Sequence, residues 1–265
     1  MDWSKIKTIF IITFLILDVY LLFQLMKIRD ANKYEIMTPT SIEEKLKNDE
    51  IKFKDLPKTD IKAQYFSAKP KIFNKEDLTK LKGQVVKINE TGTSINSELE
   101  KPIQLGEKFE PAELASFVKE NILYGDQYQF GERNEKKNTI IYYQQYDNVP
   151  LYKNINGMIV FYYNADNQIV SYQQTYLEEF EKLTEKEVVL PPLKAMETLH
   201  QKGELQPKSE ITKVELGYST RIQLAASQVL APTWRIVVND EKSLFVNAFE
   251  GKIIDFNSDE NINVE

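Results

Sequence analysis

TIFIITFLILDVYLLFQLM, residues 8–26, is an almost unbroken apolar run that begins seven residues from the N-terminus. As a helix rising about 1.5 Å per residue it spans roughly 28 Å, close to the hydrocarbon thickness of a bilayer. The run therefore reads as a transmembrane helix. Asp18 lies next to its midpoint. A central aspartate costs about 3 kcal/mol on the biological insertion scale, whereas each Leu, Ile, Phe or Val returns up to about 0.5 kcal/mol. Thirteen such residues accompany Asp18, so the sum favours insertion in spite of the acid. The competing reading is a cleaved signal peptide, whose apolar region spans only about 7–15 residues before a small-x-small site. QLMKIR at 24–29 offers no such site. Lys5 and Lys7 on one side, against Lys27, Arg29 and Lys33 on the other, leave the positive-inside count undecided. A short tail ahead of the helix and a large domain behind it make an N-inside signal anchor with an exported domain the simplest topology.

The chain has 265 residues, of which 42% are hydrophobic and 11% aromatic. That is enough beyond the anchor for one large domain or two small ones with a real core. Past residue 33 there are 29 basic and 37 acidic residues, a net of −8. This balance argues against a nucleic-acid partner. Cysteine is absent and His200 is the only histidine, which excludes disulfides, thiol nucleophiles, thiolate metal sites and any site built on two histidines of one chain. No metal or cofactor is expected.

The fold expected is α+β: one transmembrane helix, then antiparallel sheets with a few helices. The segments are a cytoplasmic tail at 1–7, the span at 8–26, a polar linker at 27–39, a membrane-proximal α+β region at 40–106, two helix-plus-meander units at 107–183 and 184–259, and a tail at 260–265. Thr40 and Ser41 ahead of Glu43 and Glu44 form a capping-box pattern for a short helix, and Asn74 caps another at 76–81. Strands are read at 51–53, IKAQYFSAK, GQVVKI and IQL. Pro111 opens a helix with Leu114, Phe117, Val118 and Ile122 on one face, followed by strands at 127–130, 139–146, 158–163 and 169–176. Pro191 and Pro192 precede the second helix, which carries Leu193, Met196 and Leu199 and stops near Gly203. Strands ITKVELGY, WRIVV, LFVNAF and KIIDF follow, with a turn at 239–242. The repeated order points to two related units of about 75 residues.

Three stretches together, DWSKIKTIFIITFLILDVYLLFQ at 2–24, SIEEKLKNDEIKF at 41–53, and APTWRIVVN with FVNAFEGKIIDF at 231–256, resemble the YycH/YycI family of membrane-anchored regulators in Gram-positive bacteria. The likeness extends over the chain in anchor position, length and order of blocks. It implies a bitopic protein with a cytoplasmic N-terminus that associates with YycH and the WalK (YycG) sensor histidine kinase and adjusts WalK/WalR control of cell-wall metabolism. The closing block also resembles a PepSY-type ending, which implies the rival reading of an extracytoplasmic ligand-binding or inhibitory module on a simple tether.

The candidate site is the membrane face. A carboxyl in lipid must be neutral, paired or placed in a protein interface, which singles out Asp18. Thr13, Tyr20 and Gln24 form a second polar stripe about 140° around the helix, so the two faces suit two neighbouring helices. Other features have plainer readings. His200 sits at the edge of a core face and reads as structural. Tyr142, Tyr143, Tyr146, Tyr152, Tyr162 and Tyr163 would suit a carbohydrate or peptide surface, but strand alternation places about half of them in the core. Glu178, Glu179 and Glu181 read as a solvated face. No nucleophile elbow, zinc helix, P-loop or dinucleotide fingerprint is present.

Overall fold

The computed structural model describes residues 3–32, 39–54, 56–57, 60–106, 109–223 and 227–256. Residues 33–38 of the expected linker and the expected tail at 260–265 lie outside these residues. The chain forms two units, Met1–Glu50 and Ile51–Glu265.

The first unit is helical. Helix α1 (Trp3–Asn32) carries the apolar run, and every residue from 6 to 26 is exposed. Helix α2 (Pro39–Asn48) buries Ile42 and Leu46, four apart on one face. It starts at Pro39, a residue suited to the first helical position because it has no N–H to leave unbonded. Thr40 and Ser41, expected as caps, therefore lie inside the first turn.

The second unit is mostly sheet. Its elements begin with β1 (Lys52–Phe53), β2 (Lys62–Ala63), β3 (Phe66–Pro70), α3 (Lys75–Leu78), β4 (Gln84–Ile88) and β5 (Ile95–Gln104). There follow α4 (Ala112–Asn121), β6 (Tyr128–Asn134), β7 (Thr139–Tyr146), β8 (Val149–Tyr152), β9 (Met158–Tyr163), β10 (Gln168–Gln174), β11 (Leu177–Lys182) and β12 (Glu187–Val188). The chain closes with α5 (Pro192–Gln201), β13 (Glu210–Gln223), β14 (Gln228–Val238), β15 (Lys242–Asn247) and β16 (Ile253–Ile254). The α+β class expected from the sequence is the class found. Asn74 caps α3 as expected, its Oδ1 accepting from the Glu76 and Asp77 backbone N–H groups while Asp77 accepts from that of Asn74.

The long β13–β14 ribbon is the spine. One edge of β14 is shared end to end by β3, which pairs at Gln228–Leu230, and β15, which pairs at Thr233–Val238. The far edge of β13 takes two short parallel partners, β1 and β8. Strand β8 turns straight back from β7 through Asp147 and Asn148, at φ 51° and 62°, the left-handed pair a two-residue hairpin requires. From β7 the order runs through β9, β10 and β5 to β4, with β6 on the other edge of β7. Helix α4 lays Leu114 and Val118 on this half, in a core with Ile140, Ile159, Phe161 and Tyr172. Helix α5 buries Ala195, Met196 and Leu199.

Three buried glutamines bind loops and edges to the sheet. Gln144 is fully buried and its amide reproduces a peptide group, with Oε1 accepting from the Leu177 N–H and Nε2 donating to the Leu177 carbonyl, each at 2.7 Å. Gln174 and Gln84 donate to the carbonyls of Leu123 (2.6 Å) and Asn121 (2.9 Å). Gln144→Leu preserves volume but strands both Leu177 groups. The expected loss is about 2–4 kcal/mol, read as a lower urea midpoint together with lost amide protection at Leu177. An unchanged midpoint would show that Leu177 finds other partners.

Candidate functional site

The stretch from Ile6 to Met26 is long and apolar enough to cross a membrane, about 31 Å at 1.5 Å per residue. Asp18 lies about 12 Å from the Met26 end and about 18 Å from the Ile6 end, so it stands near the middle of the stretch. Phe14, Leu15, Leu21 and Leu22 surround it one turn away in each direction. Among the described residues Asp18 has no hydrogen-bond or ion-pair partner. The other three candidates lie on the far side of the helix and bond within it. Thr13 Oγ1 donates to the Ile9 carbonyl at 2.9 Å, and Gln24 Nε2 donates to the Tyr20 hydroxyl at 3.0 Å.

In the sheet unit most of the tyrosines are core. Tyr142, Tyr143 and Tyr152 are buried, and Tyr146 stacks on Phe180 at 4.1 Å. Burial pushes Tyr142 and Tyr172 up to about 12. Tyr162 is the exposed member of the set, and Tyr163 lies under the Arg133 guanidinium at 5.1 Å. The acidic segment is edge strand β11, where Glu178 pairs with Lys71 (3.2 Å), just past the end of β3, and Glu179 with Lys69 (2.6 Å) on β3. His200 is half-buried on α5. No group of three or more histidine and acidic side chains suited to a metal occurs among the described residues.

Sequence reasoning missed a polar seam where β6 meets the β14–β15 hairpin. A cleft of about 710 Å³ there is lined by Phe109, Phe130, Arg133, Lys153, Arg235 and Ser243, among others. Its cations are engaged by the protein itself. Arg235 donates to Ser243 Oγ (3.0 Å) and to the Gly131 carbonyl (3.1 Å), and lies over the Tyr152 ring. Lys153 pairs with Glu132, and Arg133 donates to Asn167 Oδ1 at 3.3 Å. Beneath, the rings of Tyr143 and Tyr152 meet edge to face at 6.0 Å. Each lies against a glycine, Gly131 and Gly217 respectively, where any Cβ would overlap the ring. Glycine inside a strand was the signal available in the sequence, since it marks close approach.

At the mouth of α4, Glu113 accepts from the Gly106 (2.8 Å) and Glu110 (2.7 Å) backbone N–H groups. Those two bonds hold its carboxyl below the ordinary value. Folding thus favours the ionised form, so the stabilisation is present above the ordinary carboxylate range and fades as pH falls through the depressed value. Amide protection at Gly106 and Glu110 is expected to drop on acidification in the wild type but to show no such step in Glu113→Gln. Matching acid profiles for the two proteins would refute the assignment.

The class of protein outlined is one with a single candidate membrane span followed in the chain by an α+β domain. The family model described as YycI protein matches residues 31–249, and the chain belongs to the YycI protein family, which is membrane-associated and regulatory rather than enzymatic. The match starts beyond the span. No curated protein matches the chain. Among solved structures it is similar to an uncharacterized protein from Eubacterium rectale ATCC 33656, at 12% identity and TM-score 0.43, covering 78% of this chain and 91% of that one. It is also similar to the Bacillus megaterium YpeB C-terminal domain, at 10% identity and TM-score 0.38, covering 71% and 87%. For YycH from Bacillus subtilis the values are 15% and 0.38, with 75% of this chain and 52% of that one covered.

Proposed function

We propose that this protein is a non-enzymatic, single-pass regulatory subunit that associates with YycH and the WalK sensor histidine kinase and modulates WalK/WalR signalling of cell-wall metabolism. Its N-terminus is cytoplasmic and its sheet domain extracytoplasmic. The observation that carries the reading is the family match over residues 31–249, joined to a candidate span directly ahead of it. Regulation here means a bias between two kinase states, which requires contacts of different free energy in each. The span supplies some of those contacts, with Asp18 on one face and Thr13, Tyr20 and Gln24 on the other.

The test replaces residues 8–26 by an unrelated transmembrane helix in the full chain. Kinase co-purification and control of WalR-dependent transcription are expected to fall to the level of a deletion strain. Undiminished control by the swapped protein would assign the work to the sheet domain, as in the PepSY-type tether reading.

A further inference from the structure

We propose that Asp18 receives a cationic side chain, lysine, arginine or histidine, from a transmembrane helix of a different chain, and that its face is the side of the span on which a partner docks. This inference rests on the regulatory reading above. The hydrocarbon layer offers no water to satisfy a carboxylate, and the helix offers no local substitute. The positions three and four residues away on either side are Phe14, Leu15, Leu21 and Leu22, none of which can donate a hydrogen bond. The remaining polar groups of the span differ in this respect. Thr13 is bonded to the Ile9 carbonyl and Gln24 to the Tyr20 hydroxyl, so that side has a helical solution of its own. Asp18 has none among the described residues.

A second copy of this chain is a poor occupant. Residues 8–26 contain no lysine, arginine or histidine. A parallel pair packed through this face would set one Asp18 against the other, and like acids at close range oppose each other's ionisation. A cation at matching depth on another chain neutralises the acid and donates to it directly. Intramembrane ionisable groups characteristically pair in this way. The apolar surround of Ile11, Phe14, Leu15, Leu21, Leu22 and Leu25, all exposed, would then pack around the ion pair and exclude lipid headgroups and water from it.

The absence of cysteine makes the experiment direct. Single cysteines at Leu15 and Leu22 on the Asp18 face, and at Thr13 and Gln24 on the other, are introduced into the full-length chain. They are oxidised in native membranes against cysteines walked along the transmembrane helices of WalK and of YycH. Leu15→Cys and Leu22→Cys are expected to cross-link to one of these at least tenfold better than Thr13→Cys and Gln24→Cys. Adding Asp18→Leu or Asp18→Asn should abolish the difference, and Asp18→Lys should regain it when the partner's basic residue is changed to aspartate. Cross-links that survive Asp18→Leu, that favour the Thr13 face, or that join two copies of this chain would overturn the inference while leaving the regulatory association standing. Failure of the unsubstituted chain to co-isolate with either protein would remove both.

Discussion

Trp234→Ala is expected to lower the stability of the sheet domain by about 4 kcal/mol, the upper part of the range for a buried tryptophan. Trp234 is fully buried on β14, the strand that pairs with β13, β3 and β15. Its indole Nε1 donates to the Leu190 carbonyl at 2.9 Å, just ahead of α5, so the side chain fastens the α5 entry to the spine. Truncation opens a cavity and strands that carbonyl together. The two contributions separate in Trp234→Phe, which keeps most of the ring but not the donor and should cost about 1–3 kcal/mol. Urea unfolding of the full-length chain in detergent, followed by circular dichroism, reads both. A shift for alanine no larger than for phenylalanine would mean that neighbouring side chains fill the space, and the role given to the indole would be wrong.

Gly217→Ala should also be costly, a loss of about 2–3 kcal/mol. An added Cβ would sit 2.3 Å from Tyr152 Cε2 and 2.7 Å from the Pro150 carbonyl oxygen, and the second obstacle is backbone that cannot rotate away. Gly203→Ala supplies the contrast. Gly203 has φ +74° and nothing near its Cβ position, so only left-handed strain opposes substitution, about 1 kcal/mol. Tyr152→Phe offers a further check because the hydroxyl is buried without a hydrogen-bond partner. Its removal should leave stability equal or higher by up to about 1 kcal/mol, yet should not rescue Gly217→Ala because the clashing ring atoms remain. If alanine at 217 cost no more than alanine at 203, close packing of Tyr152 would not be what keeps a glycine there.

Much of the local structure was written in short-range patterns. The apolar run gave α1, Pro191 and Pro192 at the helix start and Gly203 just beyond its end bracketed α5, alternation in ITKVELGY marked β13, and apolar and aromatic runs marked β7, β9, β10, β14 and β15. What escaped was set by distant pairing. Strand β5 shows in the sequence only through IQL at 103–105, yet it begins at Ile95, because its polar residues alternate against β4 and β10 and carry little hydrophobic signal of their own. Strand β8 is four residues long with a proline, and it exists because β7 folds back and β13 receives it in parallel. LEEFEK looks like a solvated charge run, and its strand character comes from antiparallel pairing with β3, to which Lys69 and the neighbouring Lys71 add ion pairs. At the candidate site, an acid among thirteen large apolar residues was conspicuous in the sequence. The intrahelical bonds of Thr13 and Gln24 needed coordinates, since i to i+4 spacing permits such bonds without requiring them.

The shared edge of β14 has a temporal consequence. Ala68 on β3 pairs with Gln228, so a piece made early must wait for about 160 more residues before its ladder can close, and such long-range closure is slow. Nascent and prematurely terminated chains therefore share one vulnerability: any product ending before Gln228 leaves the β14-facing edge of β3 unpaired and open to proteases and to other unfinished copies. For this architecture the last stage of synthesis, from Gln228 onward, is the quality checkpoint, and frameshifts late in the coding region should be as damaging as those near its middle.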